Sequence, residues 1–264
     1  PLQQYLIEFP GERLQAFAIA WDSRAKEQGG QRWFHLYPDE LIDAQHELHW
    51  TQRLQNWNFM CAECHSTHVQ KNYNPLDRTY DTRWSEIDVS CEACHGAASH
   101  HLIWARRNAG FEQINAATKG LAIQLDARRN AHWSIDPASG NVRRDLSRQS
   151  DKEIQTCARC HSRRTALFGD ADPGKLLNSH AVSLLQPSLY HVDGQIKDEV
   201  YEYGSFVQSK MYQAGVTCSD CHEPHSLKLR AEGNGVCLQC HAENKYDTEA
   251  HHFHQKSAGS NCVD

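Results

Sequence analysis

Ten of the eleven cysteines in this 264-residue sequence belong to one pattern, C-x-x-C-H, whose five copies are called motif 1 to motif 5 in chain order. Two thiols three positions apart can form thioethers with the vinyl groups of a porphyrin, and the imidazole that follows can bind the iron. The pattern therefore predicts five covalently attached haem c groups. The predicted thioether residues are Cys61, Cys64, Cys91, Cys94, Cys157, Cys160, Cys218, Cys221, Cys237 and Cys240. The predicted proximal iron ligands are His65, His95, His161, His222 and His241.

Other chemistries also use paired cysteines. Two Cys-x-x-Cys pairs can form a zinc site, one pair can be a thioredoxin-like redox centre, and ten cysteines can form disulfides in a secreted protein. None of these requires a histidine after every second cysteine, whereas all five copies have one. The haem interpretation is therefore favoured over the other three.

The eleventh cysteine, Cys262, leaves two interpretations open. Its context, Gly259-Ser-Asn-Cys262-Val-Asp264, would become a sixth motif if Cys-His followed, so a truncated sixth haem site is the favoured hypothesis. The alternative is a free thiol or an intermolecular disulfide. Because the sequence starts at Pro1 and stops just after Cys262, we expect a piece of a longer protein.

The remaining histidines are candidates for the second axial ligand. Of the 18 histidines, 13 remain after the five proximal ligands, against only two methionines, Met60 and Met211. This surplus predicts bis-histidine ligation, which gives lower potentials than His/Met ligation. His225 and His101 follow their motifs too closely to reach the far side of the same iron, so each is expected to bind a neighbouring haem. The predicted distal ligands are His49, His101, His191, His225 and one of His251 or His254.

The composition narrows the class of protein. A net charge of -6 and a pI near 6.3 argue against a nucleic-acid surface, which needs a basic stripe. The mean hydropathy of -0.71 is polar for a chain of this length, so bound haem is expected to supply part of the apolar burial. The sequence contains no run of about 18 apolar residues, which predicts no membrane span in this chain.

Periodicity and motif positions predict three segments. Residues 1–37 alternate apolar and polar positions around a turn at Pro10-Gly11, which predicts a small antiparallel β element without haem. Residues 38–156 are expected to form a haem module with two motifs and a helical arm, and residues 157–264 a haem module with three motifs. The predicted fold class is mainly α with much irregular structure.

Two stretches outside the motifs are predicted to be helical. The arm covers residues 101–156, with a break at 136–140, and a second helix is expected from Asp198 to Tyr212. Paired arginines in the arm are either solvated surface residues or partners for haem propionates, since arginine forms strong hydrogen bonds to carboxylates. These arginines are Arg128, Arg129, Arg143 and Arg144.

Several stretches of the sequence are similar to a known family. Cys91-Glu-Ala-Cys-His-Gly96 with His101, Cys218-Ser-Asp-Cys-His-Glu-Pro-His225, and the His-rich run before Cys262 resemble the multihaem cytochromes related to the tetrahaem cytochrome of ammonia oxidation. More narrowly, the chain resembles large bacterial cytochromes that continue into tetratricopeptide repeats. The residues that carry this likeness are Pro1-Leu-Gln-Gln-Tyr5, Trp57-Asn58, and Tyr203-Gly-Ser-Phe206 with Lys210-Met211.

The resemblance covers nearly the whole chain. It implies a periplasmic or extracellular, mainly helical module with stacked haems, flanked in such proteins by another haem site and by the repeats. The sequence departs from the family's pattern at Ala97-Ala98, where Pro-Gly is common, which affects the local turn. The resemblance does not choose between activities, because relatives include carriers and reductases.

Three functions fit this pattern. An electron carrier needs six-coordinate irons, and abundant histidine and the short intervals between motifs 1 and 2 and between motifs 4 and 5 favour it. A reductase of a nitrogen or sulfur compound needs one open haem beside a proton donor, and no residue of the sequence marks such a site. A homo-oligomeric conducting filament is compatible with the carrier. We expect an electron-transfer protein with redox partner proteins and no catalytic residue, exported because thioethers form outside the cytoplasm.

Overall fold

The computed structural model describes residues 2–167, 175–255 and 257–263. Parts of the predicted segments, at residues 1, 168–174, 256 and 264, lie outside these ranges, among them Pro1 of the N-terminal pattern. The chain divides into two compact units, Pro1–Ala93 and Cys94–Asp264, called unit 1 and unit 2 below. The three-segment division stays a prediction.

An antiparallel sheet with strand order β1-β2-β3 opens unit 1. Its strands are β1 (Leu2–Phe9), β2 (Arg13–Asp22) and β3 (Arg32–His35). A tight turn joins β1 to β2, and Gly11 in this turn has a φ of +80°, which glycine adopts without steric cost. The β element predicted at the N-terminus is therefore confirmed.

The two faces of this sheet differ. Ala16, Ala18 and Ala20 of β2 are buried, as expected for alternate residues that point to one side of a strand. Trp21 pairs in register with Trp33 of β3, and their ring centroids are 5.2 Å apart. Cross-strand aromatic pairs of this kind stabilise a sheet by up to about 1 kcal/mol.

Short helices and hairpins make up the rest of the described structure. The helices are α1 (Trp57–Met60), α2 (Ala62–His65), α3 (Cys91–His95), α4 (Ser99–Arg106), α5 (Lys152–Ala158), α6 (Glu202–Phe206), α7 (Lys210–Gln213), α8 (Cys218–Cys221), α9 (Gly235–Leu238), α10 (Glu243–Tyr246) and α11 (Glu249–His252). Single 3-10 turns lie at Lys26–Gln28, Arg53–Gln55, Phe111–Gln113, Leu176–Asn178 and Ala258–Ser260. The remaining strands are β4 (Trp133–Ile135), β5 (Val142–Arg144), β6 (Arg164–Ala166), β7 (His180–Val182), β8 (His222–Glu223) and β9 (Lys228–Leu229). They pair as three antiparallel hairpins, β4-β5, β6-β7 and β8-β9.

The prediction of a mainly α chain holds only in part. Helix accounts for 27% of the structure and strand for 19%. The α-helices listed above have four to eight residues each, and helices this short depend on tertiary contacts for their stability. The expected irregular structure between short elements is present.

The arm over residues 101–156 is not largely helical, contrary to the prediction. α4 and α5 lie at its two ends, and the hairpin β4-β5 lies between them. The predicted break is the turn of this hairpin, where the Asp136 carboxylate accepts hydrogen bonds from Ala138 N (3.2 Å) and Ser139 Oγ (2.9 Å). This side-chain capped turn favours a hairpin because it stabilises a chain reversal locally.

The helix predicted from Asp198 to Tyr212 is two shorter helices, α6 and α7. The Ser209 hydroxyl accepts a hydrogen bond from Tyr212 N (3.1 Å) and so begins α7 as an N-cap. Asp198 lies before α6, where its carboxylate accepts a hydrogen bond from Arg163 (2.9 Å). Local capping therefore divides the predicted helix.

Few large apolar side chains are buried in the described residues. Leu189, Tyr190 and Val200 form a cluster of buried apolar residues, whereas Leu41 and Leu76 are almost fully exposed. The small core fits the polar composition of the sequence. Within the same described ranges, no helix has the length and apolar content needed to cross a membrane.

Candidate haem-attachment sites

Each motif forms one helical turn. His65 N donates to Cys61 O (3.1 Å), His161 N to Cys157 O (2.9 Å), and the same bond recurs in the other motifs of this kind. Residues i and i+3 of a helical turn share one face, so the two thiols of each motif lie on the same side. His222 of motif 4 follows its turn with an extended backbone, as the first residue of β8. All eleven cysteines are described, and all carry free thiols. The donor set and its placement therefore fit the attachment of a haem c.

Motif 1 is held against the sheet of unit 1 by buried amides. The Asn58 side chain accepts a hydrogen bond from Leu14 N (2.7 Å) and donates to Glu12 O (3.2 Å) and Thr82 Oγ1 (2.8 Å). Asn58 is only 1% exposed, so these bonds are shielded from water. They position α1, at whose C-terminal end Cys61 lies, and burial raises the pKa of the Cys61 thiol to about 11.

A second amide pair adds to this network. Asn56 Nδ2 donates to Gln15 Oε1 (3.0 Å), and Gln15 Nε2 donates to Trp50 O (2.9 Å). Asn56 also caps α1 by accepting a hydrogen bond from Phe59 N (3.0 Å). The strand β2 therefore fixes the segment that leads into motif 1.

Motif 2 lies beside a histidine from the motif 4 segment. The rings of His95 and His225 face each other with centroids 6.2 Å apart and an interplanar angle of 11°. The Nδ1 atom of His95 lies 3.4 Å from Ile123 O, and that of His225 lies 3.3 Å from a Glu223 carboxylate oxygen. Each Nδ1 atom thus has an acceptor, which leaves both Nε2 atoms for another partner.

Two further predicted ligands have the same arrangement at Nδ1. His101 Nδ1 donates to Lys119 O (2.8 Å), and His241 Nδ1 donates to Asn141 Oδ1 (2.8 Å). His49 differs, because its Nδ1 atom lies 2.8 Å from the Thr51 hydroxyl and also accepts a long hydrogen bond from Thr51 N (3.4 Å). An Nδ1 proton held by an acceptor presents Nε2 in the form that binds a metal.

In other histidines the Nδ1 atom accepts a hydrogen bond instead of donating one. The Nδ1 atoms of His35, His46 and His252 each accept a backbone N–H, from Tyr37 (3.0 Å), Leu48 (3.1 Å) and His254 (3.2 Å) respectively. An accepting Nδ1 leaves the proton of a neutral ring on Nε2. These three histidines are therefore less suited to bind iron through Nε2.

The structure does not place every predicted distal ligand beside the histidine of a motif, as it places His225 beside His95. His191 is exposed at the tip of a reversal in which Tyr190 pairs with Ile196. The His251 ring packs edge-on against Tyr246 (5.1 Å), and the His254 ring lies against Gly259. Their assignment as ligands stays a prediction.

Sequence reasoning passed over one buried histidine. His180 of β7 is 7% exposed, and its Nδ1 atom lies 2.9 Å from the Ser179 hydroxyl. It does not have the spacing from a motif that singled out His101 and His225. Its alternation with Val182 in a short strand is the sequence signal that could have indicated burial.

Motifs 3 and 4 meet at their first cysteines. The Cys157 thiol hydrogen-bonds to Cys218, which raises the pKa of Cys157 and lowers that of Cys218. Glu153, on the same helix as Cys157, accepts hydrogen bonds from Thr217 Oγ1 (2.9 Å) and Ser219 N (2.7 Å). Glu153, Cys157, Thr217 and Cys218 are called the motif 3–4 junction below. The haem sites predicted for motifs 3 and 4 therefore share one attachment region.

Motif 4 also carries a buried carboxylate of its own. Asp220 accepts hydrogen bonds from Thr217 N (2.9 Å), Arg128 Nε (2.9 Å) and Trp133 Nε1 (3.3 Å). Arg128 thus pairs with protein, and so do the other arginines considered for propionates. Arg129 pairs with Asp126 (3.6 Å), Arg143 with Asp136 (3.1 Å), and Arg144 with backbone carbonyls that include Gly215 O (3.2 Å).

The hairpin β4-β5 contacts motif 5. Besides the bond from His241 to Asn141, Ser139 O accepts hydrogen bonds from Lys245 Nζ (2.7 Å) and Tyr246 Oη (3.0 Å). Val142 N donates to Cys240 O (3.0 Å). The hairpin found within the predicted helical arm therefore orients His241, the predicted proximal ligand of motif 5.

Cys262 lies next to the first cysteine of motif 5. Its side chain hydrogen-bonds to Cys237, and burial is the main reason that the pKa of Cys237 is raised. Its backbone N donates to Asn234 Oδ1 (2.8 Å), whose amide group donates to Ser260 O (3.0 Å). Neither interpretation of Cys262 is decided by this placement, and the sixth site stays a prediction.

Two family models match parts of the chain. Residues 20–96 match the family described as cytochrome c554 and c-prime, and residues 210–246 match the doubled CXXCH motif. Together these stretches contain motifs 1, 2, 4 and 5. Multiheme cytochrome MtrA of Shewanella baltica (strain OS185) is 24% identical over 193 residues, which are 70% of this chain and 53% of that protein. Both family models and this relative are those of multihaem c-type cytochromes.

One solved structure supports the fold. The outer cell wall cytochrome OcwA matches 92% of this cytochrome and 54% of its own chain, with a TM-score of 0.51 and 17% identity. An undecaheme cytochrome from the S-layer of Carboxydothermus ferrireducens matches 91% of this chain and 35% of its own, with a TM-score of 0.35 and 18% identity. The cytochrome spans about half the length of MtrA and OcwA.

These matches confirm the resemblance at the level of multihaem c-type cytochromes. They support haem c as the cofactor, while the number of haems stays a prediction. The narrower likeness to cytochromes with tetratricopeptide repeats and the link to ammonia oxidation also stay predictions.

Proposed function

We propose that this cytochrome is an electron-transfer module that carries five haem c groups, most of them bound by two histidines. Each haem supplies one site that takes up and releases a single electron. The observation that carries the proposal is the facing pair of His95 and His225. His225 belongs to the motif 4 segment, so a haem attached at motif 2 would be bound by two separate parts of the chain.

The separation of these two rings fits a shared iron. An imidazole nitrogen binds a metal ion at roughly 2 Å and its ring centre lies about 1 Å behind it, so two imidazoles on opposite sides of one iron have centres about 6 Å apart. The centroids of His95 and His225 are 6.2 Å apart and their planes differ by 11°. An aromatic pair can have a similar centroid distance, so the Nδ1 partners carry the distinction.

Those partners favour ligation. A histidine that binds a metal through Nε2 usually donates its Nδ1 proton to a carbonyl or a carboxylate. His95 has Ile123 O in that place, and His225 has Glu223. Ring contact alone would not require an acceptor at both Nδ1 atoms.

Replacing His225 tests the proposal. In His225→Ala holoprotein we expect one haem to become five-coordinate and high-spin, to bind added imidazole, and to titrate at a higher potential, because a strong-field ligand is lost. The measurements are optical and electron paramagnetic resonance spectra with a redox titration. A variant in which every haem stays low-spin without added ligand would contradict the pairing.

The matched control is His46→Ala. The Nδ1 atom of His46 accepts Leu48 N, so its ring is not presented for Nε2 ligation. We expect its spectra to equal those of the wild type. Mass spectrometry of the denatured, fully matured protein should show five covalent haem additions in the wild type and in both variants, and fewer than five in the wild type would contradict the haem number.

A place outside the cytoplasm follows from the chemistry of attachment. Thioether formation on ten cysteines requires export before maturation, and OcwA, whose fold is similar, is an outer cell wall cytochrome. We propose that the cytochrome works in the periplasm or outside the cell and exchanges electrons with redox partner proteins. Finding the mature holoprotein in the cytosolic fraction would contradict this location.

A further inference from the structure

One buried carboxylate in unit 2 lies between two attachment sites without belonging to either motif. Glu153 is 5% exposed. One of its oxygens accepts hydrogen bonds from Thr217 Oγ1 (2.9 Å) and from Ser219 N (2.7 Å), and Ser219 lies inside the C-x-x-C of motif 4. Glu153 is also one helical turn before Cys157, the first cysteine of motif 3.

The two motifs are in contact at this point. The thiols of Cys157 and Cys218 hydrogen-bond to each other, and the charge of Glu153 contributes to raising the pKa of Cys157. A porphyrin attached at Cys157 and one attached at Cys218 would therefore each have a thioether beside this carboxylate. Both haems would feel its charge through protein and not through water.

The charge of Glu153 is not offset by a cation. Both of its hydrogen-bond donors are neutral, and no Lys, Arg or His among the described residues forms an ion pair with it. The other buried carboxylate of the region, Asp220, has Arg128 at 2.9 Å. Two buried acids thus lie near motif 4, and of the two only Asp220 has a cation as its partner.

We propose that Glu153 sets the reduction potentials of the haems attached at motifs 3 and 4, and holds them below those of a site without a buried charge. The ferric iron carries one more positive charge than the ferrous iron. A nearby anion in a medium of low dielectric constant therefore stabilises the ferric form and lowers the potential. Glu153 is a positioning residue as well, because its bonds fix the backbone of motif 4.

This inference rests on the proposed electron-transfer function and adds the order in which the haems of unit 2 are reduced. Electrons in a partly reduced unit 2 would occupy the haems of motifs 3 and 4 last. An electron that passes through unit 2 would therefore have its highest free energy on the haems at the motif 3–4 junction.

The variant Glu153→Gln separates charge from position. Glutamine keeps a carbonyl oxygen that can accept the bonds from Thr217 and Ser219, but it removes the charge. In redox titrations of the holoprotein we expect a rise in the midpoint of one or two of the haems and no change in the others. The matched control is Glu112→Gln, which removes the same charge from an exposed residue of unit 2 and should leave all midpoints unchanged.

A second variant keeps the test decisive if the first does not mature. Thr217→Val keeps the carboxylate and removes its hydroxyl donor, so the anion is less compensated and the same midpoints should fall. A purely structural role predicts no such opposite signs. Unchanged midpoints in Glu153→Gln, or a rise in Thr217→Val, would overturn the inference. Haem counts and low-spin spectra of these variants report separately on the proposed function.

Discussion

Unit 1 and unit 2 position the same five-residue motif by different means. In unit 1 the segment before motif 1 is fixed to a β-sheet by neutral amides, chiefly Asn56 and Asn58. In unit 2 the motifs are fixed to one another and to charged side chains, chiefly Glu153 and Asp220. Neutral amides add no charge to a predicted haem site, whereas a buried acid can add one.

This difference matters for the chemistry of the sites. A motif needs only one helical turn to present its donors, so its surroundings are free to vary. Surroundings made of amides are expected to leave the haem potential to the axial ligands, whereas buried charges shift it further. Substitutions in each unit test this difference.

The largest effect is expected for Asn58→Ala in unit 1. The change leaves Leu14 N, Glu12 O and Thr82 Oγ1 without their buried partner, so the free energy of unfolding of unit 1 should fall by about 3 kcal/mol. Urea titrations followed at the haem of motif 1 measure this loss. Asn74→Ala, which affects an exposed turn, is the control, and an equal loss in the control would contradict the role of Asn58.

Arg148→Ala tests unit 2 in the same way. Arg148 donates to Tyr212 O (3.0 Å) and Val216 O (2.9 Å), pairs with Asp151 (2.8 Å), and its side chain is 11% exposed. We expect unfolding to become easier by about 2 kcal/mol, since charge-assisted bonds to buried carbonyls are lost. Arg129→Ala, at an exposed i,i+3 pair, should change stability by no more than about 0.5 kcal/mol.

A smaller and purely electronic effect is expected for Asn141→Asp. A carboxylate that accepts the Nδ1 proton of His241 makes the imidazole a stronger donor, so the midpoint of one haem should fall while its low-spin spectrum remains. Asn141→Leu, which removes the acceptor, should shift the same midpoint upward. Shifts of the same sign in both variants would show that packing, and not the hydrogen bond, is responsible.

The smallest effect concerns acid stability of unit 1. Hydrogen bonds from Arg24 lower the pKa of Asp22 from 3.8 to about 2. The folded state therefore binds fewer protons than the unfolded state between these values, so this contribution is present above about pH 4 and is lost as the pH falls towards about 2. The urea midpoints of wild type and Asp22→Asn should differ at neutral pH and converge in acid, and a gap independent of pH would contradict the linkage.

The sequence predicted the elements that depend on local patterns. The C-x-x-C-H spacing identified the five motifs, and the alternation on either side of Pro10-Gly11 predicted the N-terminal sheet. The position of His225, three residues after His222, predicted that its ring binds the iron of a neighbouring haem and not that of motif 4. That pairing stays a prediction, since it depends on contacts between residues 130 positions apart.

The remaining features depend on contacts that a linear pattern does not contain. The polar arm of residues 101–156 contains the hairpin β4-β5. Asp136 caps the turn of this hairpin and motif 5 packs against it, and neither contact follows from helix propensity. The role of Glu153 depends on Thr217 and Ser219, more than 60 residues away. In the sequence, Glu153 is one of 33 acidic residues, and no local pattern distinguishes it from the others.

The contact between hairpin β4-β5 and motif 5 has a consequence for how the chain folds. Asn141 and His241 are 100 positions apart, and Ser139 is 106 positions from Lys245. Closing so long a loop costs conformational entropy that local bonds do not repay, so contacts of this kind form late. A chain that emerges N-terminus first presents the hairpin long before its partner exists. Motif 5 is synthesised after the hairpin, so the hairpin reaches its final contacts only when motif 5 has been made.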